Sequence, residues 1–428
     1  MSRAPGALYV GIDLGTSGCR ALAIDTSGTV QAEATTRLPP PRREGRAVEQ
    51  DPALWWDAVE GALDALLERV PRRAVRALAV DATSGSVLLA DAEGTPLSPG
   101  LMYNDARALE ASQRIAAVAP PTTAAHGTGS GLAKLLWLQG HVDGPVRWVL
   151  NQGDWIGGRL SGRFGISDAN NCLKLGYDPL TRTWPAWLDE LGVPRGWLPD
   201  VLPPGRTIAP LAPPIAAHFG LTPNTVLVSG TTDSTAAFLA TGAREPGEAV
   251  TSLGSTLVLK IVAERPLFYP PAGVYSQPLG ERWLAGGGSN AGGAVLLHYF
   301  DRAALEALTP RLRPHAPTGL DYYPLLAPGE RFPRNDPQFP PRLTPRPEDE
   351  AVFLQGMLEG MARIEAEGYA RLAELGAPPL RSVRSIGGGA RNPAWREIRA
   401  RALGVPLLAA DNEEAAYGAA LLARAGSP

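Results

Sequence analysis

The chain is poor in cysteine, lysine and histidine. Its two cysteines, Cys19 and Cys172, lack the spacing of a metal site or a redox pair, and Cys19 is expected as a small buried side chain. Five scattered histidines, at 126, 141, 218, 298 and 315, argue against a histidine-based metal centre. Of 40 basic residues only Lys134, Lys174 and Lys260 are lysines; with the abundant Ala, Pro and Gly, this reads as coding bias rather than function. There is no excess of positive charge. A formal net charge of -3 over 428 residues does not suit a nucleic-acid partner bound through bulk charge. No apolar run is long enough to cross a bilayer, and the opening MSRAPGALYV has no apolar signal core. A soluble cytoplasmic protein with no membrane attachment is the expectation. The familiar nucleotide and hydrolase signatures are missing too: no G-x-x-x-x-G-K-[ST], no H-E-x-x-H and no G-x-S-x-G. The glycine cluster from Gly286 to Gly293 lacks the G-x-G-x-x-G spacing of a dinucleotide fold. If the protein binds ATP, it does so through another phosphate architecture.

What is present is a globular composition, 44% hydrophobic and 19% charged, in a chain too long for one core. Two α/β domains of similar size are expected. Composition turns to Pro and Ala around Pro203 to Pro214, which sets a boundary near residue 222 and domains of 1–222 and 223–428. Thr225 to Ser229 reads as a buried strand with which the second half restarts the plan of the first. Glu248 to Ile261 reads as a hairpin around Leu253-Gly254-Ser255-Thr256, a diverged repeat of the opening hairpin. A helix is predicted from Asp51-Pro52, where Asp caps and Pro suits the first turn. Thr309 to Pro347 holds too many prolines for a long helix or a central strand; Leu320, Tyr322, Tyr323 and Phe332 give that excursion something to bury. A long amphipathic helix begins at Glu348 and stops at Gly376.

Three motifs carry chemistry. In YVGIDLGTSGCRALAID, Tyr9 to Asp25, a strand delivers Asp13 into the turn Gly15-Thr16-Ser17-Gly18. Such a turn can aim N–H groups and hydroxyls at a phosphate, glycine permitting close approach and positive φ. Asp13 repels phosphate, so it makes sense there only with a cation such as Mg²⁺ between; the alternative is a hairpin with a polar turn. Asp233 follows a strand and glycine turn and heads the helix Ser234 to Ala240. It reads equally as a general base for a hydroxyl and as a plain N-cap. In SIGGGARNPAW, Ser385 to Trp395, a strand ends in three glycines and Asn392 caps a helix opened by Pro393 and closed by Gly404. Bare glycine backbone can receive a flat ring that Trp395 would cover; the alternative is a strand-to-helix connection with a packing Trp.

In order and spacing these elements resemble the FGGY family of carbohydrate kinases, within the actin/Hsp70/sugar-kinase superfamily. YVGIDLGTSGCRALAID looks like its first phosphate motif and LVSGTTDSTAAFLATGA like its second. VTSLGSTLVLKI resembles its nucleotide-phosphate loop, SIGGGARNPAWREIRARALGVPL its adenine motif and EEAAYGAALLARAG its final inter-domain helix. ALAVDATSGSVLLADAEGTPLSPGLMYNDARA resembles its sugar-loop region. The resemblance implies two ribonuclease H-like domains around a central cleft, with sugar mainly on the first and ATP on the second. It implies that Asp13 holds Mg²⁺, that Thr16 and Ser17 donate to the transferring phosphate, and that Asp233 is the base. Gly254, Ser255 and Thr256 would line the phosphate channel, while Gly388, Asn392 and Trp395 would hold adenine. Ser84 sits where the family contacts sugar, and Asp105 is a further candidate.

The implied activity is ATP-dependent phosphorylation of a small sugar by a monomer or homodimer with no nucleic-acid partner. The sugar loop reads TSGSVLL, without the Met-His pair of Q-M-H-G-type xylulose kinases. That favours D-ribulose over D-xylulose. An actin- or chaperone-like ATPase and an idle sugar sensor are the alternatives from other classes.

Overall fold

A computed structural model describes residues 6–427. Residues 1–5, part of the stretch inspected for a targeting signal, lie outside the described residues. Contacts divide the chain into two compact units. Among the described residues, unit one comprises 6–240 and 414–427, and unit two comprises 241–413.

Unit one opens with strands β1 (Leu8–Leu14), β2 (Gly18–Asp25), β3 (Val30–Arg37), β4 (Arg42–Glu44) and β5 (Ala47–Gln50). Helix α1 (Pro52–Leu67) and strand β6 (Val75–Ala82) follow. Next come β7 (Val87–Ala90), β8 (Gly100–Leu101), α2 (Leu109–Val118), α3 (Gly131–Gln139), β9 (Trp148–Asn151) and α4 (Gln152–Ser161). The unit continues through β10 (Ile166–Asp168), α5 (Ala169–Cys172), α6 (Trp187–Glu190), β11 (Asp200–Leu202), β12 (Thr207–Pro210) and α7 (Pro213–His218). It ends this pass with β13 (Val226–Thr232) and α8 (Asp233–Ala240). Unit two contains β14 (Glu248–Leu253), β15 (Leu257–Ala263), β16 (Tyr275–Leu279), β17 (Arg282–Ser289), α9 (Gly293–Tyr299) and α10 (Arg302–Leu308). After them come α11 (Glu350–Glu374), β18 (Ser382–Ile386), α12 (Pro393–Leu403) and β19 (Leu407–Leu408). The chain then returns to unit one as α13 (Ala415–Gly426).

The main sheet of unit one runs β12-β13-β6-β1-β2-β3. Its β1 is antiparallel to β2 and parallel to β6, which is parallel to β13. Unit two, ordered β16-β17-β15-β14-β18-β19, repeats the five-stranded core β3-β2-β1-β6-β13 as β17-β15-β14-β18-β19. Here β14 is antiparallel to β15 and parallel to β18, and the sixth strand lies on the opposite edge. The repeated hairpin expected at Glu248 to Ile261 is therefore real, and it is the true start of the second sheet.

The boundary near residue 222 is corrected. Strand β13 is the fifth member of the first ladder, held in register against β6, so the first unit runs on through α8 to Ala240. Asp233 accordingly belongs to unit one and not to the C-terminal domain. Helix α13 is corrected in the same way, since it packs on β1, β6 and α8. Bare backbone makes this possible. A Cβ on Gly11 would lie 1.8 Å from the Ala416 carbonyl oxygen, and one on Gly418 would lie 1.9 Å from that of Ala236.

Local signals held elsewhere. Asp51 caps α1 by accepting the Ala53 N–H at 2.9 Å, and α1 buries Trp55, Val59, Leu63 and Leu66. In the proline-rich excursion Tyr322, Tyr323, Leu325 and Phe332 are buried in the core of unit two. Both cysteines are buried free thiols. Among the described residues, no helix is long and apolar enough to cross a membrane.

Candidate active site

The acids of unit one meet because three parallel strands end together. Asp13 on β1 is in register with Asp81 on β6, and Asp81 with Thr231 on β13. Asp233 follows two residues later at the start of α8, its Oδ1 accepting the Ser234 N–H at 2.6 Å. Register slips at Ser229-Gly230, where β13 runs so close to β6 that a Cβ on Gly230 would lie 1.7 Å from the Val80 carbonyl oxygen. Asp13 and Asp233 thus converge on one edge of one sheet.

Burial raises the Asp13 carboxyl to about 6, opposed by its contact with Asp81 and reinforced by the charge of Asp233. Asp81 is completely buried, and burial pushes it well above the ordinary carboxylate range, with Asp13 and Asp233 adding to the rise. Apart from the neighbouring acid, Asp13, neither Asp81 oxygen has a hydrogen-bond partner. The contact between the two side chains lowers the Asp13 carboxyl and raises that of Asp81.

The turn after β1 is closed by Gly15 N–H donating to the Gly18 carbonyl at 3.0 Å. Thr16 is half-buried and Ser17 exposed. Neither Gly15 nor Gly18 has positive φ, contrary to the expectation of a left-handed turn. Gly18 is required by crowding instead, since a Cβ there would lie 2.7 Å from the Thr36 carbonyl oxygen on β3.

The loop after β6 is held from several sides. Thr83 Oγ1 lies 2.6 Å from both Ser86 Oγ and Gln152 Oε1. Lys174 Nζ donates to the Ser84 carbonyl at 2.8 Å, and Asp233 is the charge that opposes the downward effect of burial on this lysine. Lys134 Nζ donates to the carbonyls of Gly85 (2.7 Å), Gly129 (3.0 Å) and Tyr103 (3.3 Å). Burial and the neighbouring Lys174 push Lys134 down to about 7. Lys174 thus ties the Ser84 carbonyl to the field of Asp233, but Asp105 does not join them as a free group. It is fully buried, accepting the Val48 N–H at 2.6 Å and pairing with Arg107, which makes it a structural acid.

In unit two the turn between β14 and β15 holds Gly254, Ser255 and Thr256. The carbonyls of Gly254 and Ser255 accept from Gly293 (2.8 Å) and Ala294 (3.0 Å) at the start of α9. Gly292 allows this seating, because a Cβ there would lie 2.6 Å from Thr256 Cα. The parallel pairing of β14 with β18 brings the Gly387-Gly388-Gly389 turn alongside. Gly388 faces open space, whereas Gly389 sits on the Trp395 ring at 2.4 Å from a would-be Cβ. Asn392 caps α12, accepting the Trp395 N–H at 3.0 Å. Trp395 itself is 2% exposed within the core. The expectation that its ring covers adenine is corrected: it supports the glycine turn from beneath.

Comparison with known proteins decides the family. Residues 8–240 match the N-terminal domain model of the FGGY family of carbohydrate kinases, and residues 249–426 match its C-terminal domain model. The chain belongs to the FGGY family of carbohydrate kinases. It is thus an ATP-dependent sugar kinase, with the ribonuclease H-like fold in both sheet-containing units. The xylulose kinase of Escherichia coli is 30% identical over 92% of this chain and 84% of its own. The gluconokinase of Bacillus subtilis is 22% identical over 91% of this chain and 81% of its own. The crystal structure of a xyloylose kinase from Brucella ovis superposes with a TM-score of 0.90 at 27% identity, covering 98% of this chain and 90% of that one. The kinase family match displaces the reading as an actin- or chaperone-like ATPase. Sequence reasoning passed over Asp81 and Lys174 in this FGGY kinase. Asp81 repeats the strand-then-acid pattern of Asp13, and Lys174 is one of three lysines in an arginine-rich chain.

Proposed function

We propose that this kinase phosphorylates a pentulose, with D-ribulose as first substrate and D-ribulose 5-phosphate and ADP as products. The observation that carries the reading is the meeting of Asp13 and Asp233 at one sheet edge beside the loop that holds Ser84. In this reading Asp233 takes the proton of the C5 hydroxyl as that oxygen bonds to the γ-phosphorus. The bond from phosphorus to the β–γ bridging oxygen breaks, and ADP leaves. Thr16 and Ser17 donate to the transferring phosphate from the turn after β1. Gly254, Ser255 and Thr256 are assigned to the nucleotide's phosphates, and the open backbone at Gly388 to adenine, with Asn392 fixing that turn.

Mg²⁺ fits Asp13. The donor atoms are hard oxygens, and a carboxylate whose charge is disfavoured by burial gains from a cation. When bound, the cation offsets phosphate charge in the transition state.

The loop from Thr83 to Ser86 offers hydroxyls and backbone but no imidazole, which supports D-ribulose. The names of the relatives favour D-xylulose as the second reading. The test is a substrate panel of D-ribulose, D-xylulose, L-ribulose and glycerol, read by coupled ADP release and product analysis. Sugar-stimulated ADP release with a pentulose phosphate supports the proposal. Stimulation confined to glycerol, or none by any sugar, overturns it.

A further inference from the structure

Asp81 is an expensive residue to bury without a purpose. It is 0% exposed, and neither oxygen has a hydrogen-bond partner beyond its neighbour across the ladder, which is another acid, Asp13. Buried polar groups in folded proteins have partners as a rule, and an orphaned carboxyl calls for an explanation. Its position supplies one. In-register residues on parallel strands point to the same face, so Asp13 and Asp81 present their carboxyls side by side. Two carboxylates plus water and phosphate oxygens form a common donor set for Mg²⁺, whereas three protein acids are not required.

We propose that Asp81 is a second carboxylate of the divalent-cation site, acting with Asp13, and that the cation is the partner its oxygens lack. The inference extends the metal assignment made for the kinase, but it stands on the acid pair and not on the identity of the sugar. A structural role makes a different demand. If Asp81 serves only as a hydrogen-bond donor to Asp13, an amide does the same work. A cation ligand needs the anion.

The experiment is Mn²⁺ binding to the full chain, followed by electron paramagnetic resonance of the free ion, with and without ADP. Wild type, Asp81→Asn, Asp81→Glu and Asp13→Asn are compared, and circular dichroism and thermal melts check folding. Both Asn variants are expected to weaken Mn²⁺ binding at least tenfold in the arm where wild type binds best, and Asp81→Glu to recover part of it. Wild-type affinity in a folded Asp81→Asn, or no Mn²⁺ binding by wild type in either arm, overturns the proposal. Two-carboxylate Mn²⁺ binding by a protein that phosphorylates no pentulose would sink the proposed function and leave this one standing.

Discussion

The metal-free protein should be more stable when Asp81 becomes Asn. Asp81 is completely buried, and burial together with the charges of Asp13 and Asp233 moves its carboxyl well above the ordinary value of 3.8. The unfolded chain ionises it above that value, while the folded protein holds the proton to a higher pH. Folding must then take up a proton, and the cost grows as pH rises. Below about pH 4 both states hold the proton and the cost vanishes. Above it, the cost grows by about 1.4 kcal/mol for each pH unit over which the folded carboxyl stays protonated while the unfolded one is ionised. Asn is the same shape and never ionises, so Asp81→Asn removes this cost and adds little of its own. Urea titration of the chelator-treated protein, read by hydrogen exchange in peptides of β1 and β6, isolates unit one. The variant should gain roughly nothing near pH 4 and progressively more stability as pH rises toward neutral. Equal stability at pH 7, or a gap that does not widen with pH, refutes the reasoning.

Asp233→Ala should abolish most sugar phosphorylation while nucleotide affinity, measured by calorimetry, stays near wild type; full turnover would end its assignment as base. Cys19 and Cys172 are buried, and burial pushes both thiols up, so neither should react with iodoacetamide until denaturant is added. Mass spectrometry showing native-state labelling of either would contradict that burial. Glu365 and Arg399 form a buried ion pair with both side chains 1% exposed, bonded at 2.6 and 2.7 Å. Arg399→Met strands the carboxylate and should destabilise unit two by about 3–5 kcal/mol, which scanning calorimetry would register as a lowered melting temperature.

Much of this site was legible locally, and what was not depended on pairing across the chain. The opening hairpin showed itself through apolar alternation into a glycine turn, and α1 and α12 through their Asp51-Pro52 and Asn392-Pro393 caps. Asp13 and Asp233 were found as strand-end acids for the same reason. The boundary was missed because β13 looks like any buried strand, and only its pairing with the distant β6 assigns it to the first sheet. Asp81 was missed because nothing within RALAVD states that β6 lies beside β1 with Asp81 against Asp13. Trp395 was misread because helical spacing gives a residue's face but not whether that face meets a ligand or the core. Here the Gly389 backbone covers the ring.

The duplicated scaffold supplies an internal control for the acids. Aligning the turns sets Leu14-Gly15-Thr16-Ser17 of unit one beside Leu253-Gly254-Ser255-Thr256 of unit two. Asp13 then corresponds to Ser252, and its in-register neighbour Asp81 corresponds to Ile386, the in-register neighbour of Ser252. The second sheet keeps the same five-stranded core order with a hydroxyl and an aliphatic side chain at those positions. The architecture therefore does not need two carboxyls side by side at the ends of its first and fourth strands. Unit one carries them against the protonation cost that Asp81→Asn would expose. Natural chains keep such locally unfavourable groups chiefly where function requires them. The contrast between the two sheets supports the proposed role of Asp13, Asp81 and Asp233 in handling the charge of phosphoryl transfer.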